Sequence, residues 1–325
     1  MILIIDGNNY AFRTAAIHSL TNDINEDVTV VYGFIKMLQH MVQKHSPEQI
    51  FVCWDYGGSK PKKDFYPDYK GNRKHDSTLH EEVSRQIKLL HGILPLLKVQ
   101  VVQTRGVEAD DIIWYISKKL SEDGKDVLVT SSDQDLLQCI NTKTSVYSPA
   151  RKIEITLDNF RDIYGVEHKS FVDYKALVGD TSDNIKGVEG IGKKTASDLL
   201  TKYGSIVHMV KDEEAIEHLK KSKRTAKILD KENIKVIIRN LKLMKLGHFL
   251  TKENEMDIDA QLITQRSDDK DIGDASKTQL ESFFTTHGLS KFADEVDNMC
   301  YVFSHTDLSN GNGHVKQRNK EKILF

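Results

Sequence analysis

Residues 1–9, MILIIDGNN, place an acid, Asp6, directly after a short apolar run. Such a run, rich in isoleucine, is typical of a strand that is buried on both faces of a parallel sheet. The same order recurs at Asp55 and Asp133, which follow the apolar runs at 50–53 and 127–130. Ligands collect beyond the carboxyl ends of parallel strands, so we expect these three acids to meet at one edge of the sheet.

The segments between these strands have the periodicity of helices. Apolar residues recur at helical spacing over residues 29–43 and 107–120, and a further apolar run lies at 99–102. We therefore predict an α/β fold with a mainly parallel sheet that is flanked by helices on both faces. The strands are expected to stop at about Phe171, after which helical periods dominate.

The region beyond Phe171 is predicted to be a helical subdomain. Its segment GVEGIG, residues 187–192, lies between two predicted helices, which is the arrangement of a helix-hairpin-helix. A last helix is expected from Thr278 to Val296 with a break near Gly288, and the polar end, residues 309–322, is expected to be flexible. The predicted parts of the chain are 1–170, 171–250 and 251–325, of which the last comprises a helical extension and a tail.

Charge and cysteine content narrow the class of protein. The 325 residues carry a formal net charge of −2, yet residues 220–245 hold ten Lys or Arg against two acids, which makes that segment +8 and the remainder −10. This asymmetry favours a polyanionic partner on one face and cations in an acidic pocket.

Three cysteines without short spacings, and the lack of a long apolar run, predict a cytoplasmic protein, and nothing demands more than a monomer.

Nine acids lie where predicted strands end or helices begin, and several belong to the motifs GVEADD, SSDQD and GDTSDNI. Each motif alone has a simpler explanation, as residues that complement a helix dipole, form a turn or cap a helix. Their convergence instead predicts a metal site, because clustered carboxylates repel one another unless a cation neutralises them. The predicted ligands are Asp6, Asp55, Glu108, Asp110, Asp111, Asp133, Asp135, Asp180 and Asp183.

The chemistry of these ligands predicts the reaction. Oxygen donors without neighbouring His or Cys favour Mg²⁺, for which Mn²⁺ is expected to substitute. So many carboxylates can hold two ions about 4 Å apart, which together stabilise the attacking and leaving oxygens of a phosphoryl displacement. The expected substrate is therefore a phosphodiester, and replacing Asp135 by asparagine is expected to abolish catalysis.

Basic and glycine-rich segments are expected to bind a nucleic acid. Residues 57–74, GGSKPKKDFYPDYKGNRK, combine cations with aromatic rings, and their position directly after Asp55 favours this interpretation over a solvated loop. Lys70 and Arg73 are candidates for contacting the scissile phosphate. Backbone N–H groups at the helix start near Lys193 can bind phosphate without reading sequence. The predicted DNA-binding residues are Tyr69, Lys70, Arg73, Gly187, Gly190, Gly192, Lys193, Lys194 and Thr195.

These motifs, together with DGNN, WDYGG, YPDYKGNR and GVEGIGKKTA, occur in the order and spacing of a known family. Over about residues 1–205 the chain resembles the 5′ nucleases, that is, flap endonucleases and the 5′-3′ exonuclease part of bacterial DNA polymerase I. Within that family it is most similar to stand-alone phage enzymes, and the segment HGLSKFADEV resembles the RNase H of T-even phages. The resemblance implies a PIN-like core, a helical arch or clamp at about residues 57–95, and a C-terminal helix-three-turn-helix motif.

The resemblance also implies roles for individual residues. Asp6, Asp55, Glu108 and Asp110 would surround the first metal, Asp110, Asp133, Asp135 and Asp183 the second, with Asp111 and Asp180 in supporting or water-mediated roles. Lys70 and Arg73 match the arch residues that steer the 5′ strand, and Tyr69 is expected to stack on a base. K⁺ is expected at the backbone carbonyls of residues 188–191. Residues 246–325 match no motif of the family, and a single-stranded DNA-binding protein or a sliding clamp is the protein partner that the phage resemblance suggests.

The sequence thus predicts a Mg²⁺-dependent, structure-selective 5′ nuclease. It would cut DNA flaps and nicked or gapped duplexes, remove RNA from RNA–DNA hybrids, and act in replication primer removal or repair. Two alternatives stay open. A PIN-type endoribonuclease would share the core acids, although the hairpin and arch argue against it, and a non-catalytic protein that binds branched DNA would be expected to lack metal ligands, none of which is missing here.

Overall fold

A six-stranded sheet organises the first half of the chain in the computed structural model, which describes residues 1–16, 20–73, 77–264 and 272–304. The strands are β1 (Ile2–Asp6), β2 (Gln49–Cys53), β3 (Gln100–Val102), β4 (Val127–Thr130), β5 (Thr144–Ser148) and β6 (Ile153–Ile155). They lie in the order β3-β2-β1-β4-β5-β6, and every neighbouring pair is parallel except β5 and β6. The prediction of a mainly parallel sheet is confirmed.

Strands β5 and β6 at one edge of the sheet are not marked by apolar runs in the sequence. In β5, buried and half-buried residues alternate, and three of its five residues are Thr or Ser. In β6, only Ile155 is buried. The edge strand β6 and its neighbour β5 contain fewer apolar residues than β1, β2 and β4, which is why the apolar runs of the sequence identify β1 to β4 alone.

Helices cover both faces of this sheet. The helices of the α/β part are α1 (Gly7–Ala15), α2 (Thr29–His45), α3 (Lys60–Phe65), α4 (Ser77–Ile93), α5 (Ala109–Glu122) and α6 (Leu157–Tyr164). Because side chains alternate along a strand, Leu3 and Ile5 of β1 join the core beneath α1, α2 and α4, whereas Ile2 and Ile4 join the core beneath α5 and α6. The predicted helices at 29–43 and 107–120 correspond to α2 and α5.

A helical subdomain with its own apolar core follows. Its helices are α7 (Phe171–Val178), α8 (Lys193–Tyr203), α9 (Ile206–Lys211), α10 (Glu213–Lys220), α11 (Lys223–Ala226) and α12 (Lys231–Met244). The expectation that strands stop at Phe171 is wrong in one respect, because β7 (Gly179–Asp180) and β8 (Ile185–Lys186) form a short antiparallel pair between α7 and α8. Two-residue strands are set by hairpin geometry and carry no hydrophobic periodicity.

The last helices return to the α/β part. They are α13 (Lys252–Thr264), α14 (Asp274–Thr286), α15 (Ser290–Ala293) and α16 (Val296–Ser304). The expected break near Gly288 is present, and a second break separates α15 from α16. Leu280, Phe284 and Phe292 are buried in the same core as α2 and α4, so this segment packs as part of the α/β layer. The expected flexible end at 309–322 lies outside the described residues.

Among the described residues, no helix combines the length with the hydrophobicity that crossing a bilayer requires.

Candidate metal centre and nucleic-acid interface

A cavity of ≈ 950 Å³ opens at the carboxyl ends of β1, β2 and β4. Four of the predicted metal ligands line it, namely Asp6, Asp55, Asp110 and Asp133. The same cavity is lined by both cations that the sequence assigns to the scissile phosphate, Lys70 and Arg73. Four acids and two cations from separate stretches of the chain therefore face one space.

The DGNN motif builds the floor of this cavity. Asp6 caps α1 by accepting a hydrogen bond from the backbone N–H of Asn9 at 3.0 Å, and its other oxygen accepts one from Ser131 Oγ at 2.7 Å. Gly7 is required where it stands, because a Cβ atom there would lie 2.5 Å from the ring of Trp54. The motif therefore fixes the carboxylate and allows α1 to cross close to the end of β2.

Asn8 and Asp55 join β2 to the start of α5. The side chain of Asn8 accepts a hydrogen bond from the backbone of Asp55 at 3.1 Å and donates one to its carboxylate, also at 3.1 Å. The second carboxylate oxygen of Asp55 accepts the N–H of Ala109 at 2.7 Å. Because that N–H belongs to the first turn of α5, Asp55 also orients the helix that carries Asp110.

The electrostatics of the floor favour a bound cation. Burial raises the pKa of Asp6 to about 7, and the charges of Asp133 and Asp55 contribute in the same direction. Burial likewise raises the pKa of Asp110, with Asp133 and Asp6 as further causes. Each acid thus makes ionisation of the others more costly, and a divalent cation would offset this cost. Since the donors in the cavity are carboxylate oxygens, the set suits a hard ion such as Mg²⁺.

The remaining predicted ligands are engaged by cations or by the backbone. Within the described part of the chain, no three His, Cys, Asp or Glu side chains form a group that could hold an ion in their present positions. Glu108 accepts hydrogen bonds from Lys62 Nζ at 2.5 Å and from Lys70 Nζ at 2.6 Å. Although burial opposes the effect, these two ammonium groups lower the pKa of Glu108 to about 2.

Lys175 of α7 holds a second pair of acids. Its Nζ forms ion pairs with Asp135 and, at 2.9 Å, with Asp180, and the lysine side chain is 8% exposed. Lys175 outweighs the effect of burial and lowers the pKa of Asp180 to about 2, whereas burial raises the pKa of Asp135 in spite of the lysine. Asp183 is paired with the guanidinium of Arg73 at 2.9 Å.

Two of the predicted roles need correction. The expectation that Tyr69 stacks on a base is wrong for this structure, because Tyr69 is buried and its hydroxyl donates to Glu108 and Asp183, each at 3.1 Å. Its ring completes a small apolar cluster between the helical subdomain and the segment after α3. Asp111 does not line the cavity but accepts the N–H of Gly247 at 2.7 Å, so a supporting role at a metal has no geometric basis here.

Sequence reasoning missed Lys62 and Lys175 as buried partners of the acids. The burial of Lys175 could have been predicted from the sequence, because it is a lone cation in the apolar helix FVDYKALV, where an unpaired lysine would be costly. The burial of Lys62 could not have been predicted in this way, since it is one of three lysines in the polar segment KPKK. Its burial depends on the arrangement of α3 against α5, which periodicity over six residues cannot specify.

The predicted hairpin forms a second candidate site. Residues of the hairpin and its flanks, from Val178 to Gly192, line a groove of ≈ 580 Å³ together with Asn72. Gly190 has a φ of 83° and Gly192 caps the start of α8, where the expected phosphate contacts Lys193, Lys194 and Thr195 begin the helix. Gly187 differs, because a Cβ there would lie 2.3 Å from the backbone of α7. Its role is close packing of the hairpin against α7.

Comparison with known proteins gives the following matches. A family model described as "5'-3' exonuclease, N-terminal resolvase-like domain" matches residues 1–165, and one described as "5'-3' exonuclease, C-terminal SAM fold" matches residues 166–267. A 5′-3′ exonuclease of Aquifex aeolicus is 33% identical over 217 residues, which cover 66% of this chain and 74% of that protein. The thermostable DNA polymerase I of Thermus thermophilus is 34% identical over 212 residues, which cover 65% of this chain but 25% of the polymerase.

The fold has counterparts among solved structures. The bacteriophage T5 D15 flap endonuclease, in a complex with DNA and metal ions, superimposes with a TM-score of 0.64 at 21% identity. The match covers 92% of this chain and 99% of that one. The PIN-like architecture with a helical C-terminal part, expected from the sequence, is therefore confirmed.

Proposed function

The chain belongs to the 5′-3′ exonuclease family, and we propose that it is a Mg²⁺-dependent 5′ nuclease that selects its substrate by DNA structure. Its substrates are 5′ flaps and nicked or gapped duplexes, together with RNA–DNA hybrids such as replication primers. The observation that carries the proposal is the single cavity in which four acids face Lys70 and Arg73. A phosphodiesterase site needs carboxylates that hold metal ions and basic side chains that contact the phosphate, and both are present in this cavity.

Asp6, Asp55, Asp110 and Asp133 are the residues that we propose hold the metal. When bound there, Mg²⁺ ions lower the pKa of a water molecule and offset the negative charge of the transition state. Asp6 accepts hydrogen bonds from Asn9 and Ser131, so its carboxylate is held in place at the end of β1. The sequence assigns Asp135 and Asp183 to a second ion, and we retain both as candidate ligands. In the structure, Asp135 is paired with Lys175 and Asp183 with Arg73.

Lys70 and Arg73 are proposed to hold the scissile phosphate. Both line the cavity, and each also contacts an acid, Lys70 through Glu108 and Arg73 through Asp183. These ion pairs fix the cations at the rim of the site. The duplex would be bound through phosphate contacts at the start of α8, where Lys193 and Lys194 are exposed. K⁺ at the carbonyls of residues 188–191 is proposed to strengthen that contact.

The proposal is tested with a 5′-labelled DNA flap, a nicked duplex and a linear single strand, each incubated with Mg²⁺ or with EDTA. We expect Mg²⁺-dependent cutting near the branch point, slower cutting of the single strand, and no cutting in EDTA. Asp110→Asn is expected to reduce the rate at least 100-fold while leaving flap binding unchanged.

Asp162→Asn on α6 is the matched control, because it removes an exposed acid outside the cavity. Equal activity of the Asp110→Asn and Asp162→Asn variants would refute the metal assignment. Cutting of linear RNA as fast as of flap DNA would refute structure selection and favour an endoribonuclease.

A further inference from the structure

A surface outside the cavity combines aromatic rings with cations. We define the α3–α12 surface by Phe65, Tyr66, Arg239, Lys242 and Phe249. The rings of Phe65 and Phe249 have centroids 5.6 Å apart, and Lys242 Nζ lies 5.6 Å from the centroid of Phe65. The guanidinium carbon of Arg239 lies 4.4 Å from the ring centroid of Tyr66.

The aromatic rings of this surface are accessible to solvent. Phe65 is 41% exposed, which is high for a phenylalanine that also contacts another ring, and Tyr66 and Phe249 are half-buried. Next to Phe249, His248 and Lys245 are exposed. Burial, together with the charges of Lys242 and Lys245, lowers the pKa of His248, which agrees with a positive local potential. The surface is therefore apolar in its rings and cationic around them.

The α3–α12 surface is separate from the cavity but is connected to it through Asp111 of α5. Neighbouring residues of α5 have different contacts, since Asp110 lines the cavity whereas Asp111 contacts Lys62 and the backbone of Gly247. Lys62 belongs to α3, and Gly247 lies two residues before Phe249. The contacts of Asp111 with Lys62 and Gly247 thus link both segments of the surface to the helix that carries Asp110.

We propose that the α3–α12 surface binds the single-stranded 5′ arm of a flap, with unpaired bases stacked on Phe65 and Phe249 and phosphates next to Arg239 and Lys242. This inference rests on the proposed function, because the arm is defined by the flap substrate. Aromatic faces accept any unpaired base, whereas cations contact the backbone, and their combination is typical of sequence-independent single-strand binding. A duplex would present its phosphates but no base faces to these rings.

The interaction is tested by fluorescence anisotropy in EDTA, so that binding is measured without cleavage. The two probes are a nicked duplex and the same duplex with a 5′ dT arm of about twelve nucleotides, a length within the range of single-strand sites. The wild-type protein is expected to bind the arm-bearing duplex more tightly. The double variant Phe65→Ala/Phe249→Ala is expected to lose about tenfold in affinity for that probe, with unchanged affinity for the nicked duplex.

Two further variants control for folding and for charge. Phe65→Leu/Phe249→Leu keeps apolar volume but removes the ring faces, and it is expected to show the same arm-specific loss. On α12, Lys242→Ala is expected to weaken binding of the arm and to lower its salt dependence, whereas Lys231→Ala, an exposed lysine of the same helix, is not.

The proposal is overturned if the leucine and alanine double variants retain the full benefit of the arm. It is also overturned if they lose affinity equally for both probes. Failure of the proposed function would look different, because the protein would then cleave neither substrate in Mg²⁺ while arm-dependent binding in EDTA could still be measured.

Discussion

Replacing Lys62 by methionine should destabilise the protein far more than would be expected for one of three lysines in the polar segment KPKK. The Lys62 side chain is 4% exposed, and its ammonium group lies 2.5 Å from Glu108 and 2.9 Å from Asp111. Burial alone would lower the pKa of Lys62, but these two acids raise it above its ordinary value. Removing one partner of a buried pair costs about 3–5 kcal/mol, and we expect about 3 kcal/mol because Lys70 still neutralises part of Glu108.

The assay is urea denaturation at pH 7, followed by circular dichroism. With an m value of about 3 kcal/mol/M, the midpoint should fall by about 1 M. Lys60→Met is the matched control, because Lys60 lies on the same helix in an ion pair with Asp64 whose partners are 81% and 63% exposed. Exposed pairs contribute about 0–1 kcal/mol, so the control midpoint should move by at most about 0.3 M.

The pH dependence of the Lys62 effect has a defined sign. The folded-state pKa of Glu108 is about 2, below its ordinary value of about 4.3. The stabilisation from this carboxylate is therefore present above about pH 4.3 and is lost as the pH falls towards 2. The stability difference between wild type and Lys62→Met should shrink between pH 5 and pH 3. Equal midpoints for Lys60→Met and Lys62→Met, or a difference that grows on acidification, would refute the reasoning.

Three further predictions concern the hairpin, the C-terminal helices and the cysteines. Gly187→Ala should lower the free energy of unfolding by about 1–3 kcal/mol or more, measured by thermal denaturation, because its Cβ would overlap the backbone of α7. Phe292→Ala should cost about 3–5 kcal/mol in urea denaturation, since this ring is buried in the α/β core, and a loss below 1 kcal/mol would contradict that packing. In a thiol titration, Cys300 should react in the native protein, whereas Cys53 and Cys139 should react only in denaturant, because both are buried and burial raises the pKa of Cys139 to about 12.

The sequence predicts the central sheet because its strands are buried on both faces and so consist of apolar runs. It also predicts which acids follow those strands, and Asp6, Asp55 and Asp133 do face one cavity. It cannot predict β5 and β6, because the edge strand β6 and its neighbour β5 contain too few apolar residues to form a continuous run. Nor does it predict that the segment after residue 272 packs on α2 and α4, because contacts between distant helices leave no local pattern.

The acids of α5 show that a sequence motif does not determine the role of each of its residues. Asp110 and Asp111 are adjacent in GVEADD, and a count of carboxylates treats them alike. On a helix, however, neighbouring side chains point about 100° apart, so adjacent acids are directed at different surroundings. Asp110 faces the acids that would hold a metal, whereas Asp111 receives Lys62 and the backbone of Gly247. The same motif therefore supplies a candidate ligand and the anchor of α3, and only the tertiary packing decides which acid serves which purpose.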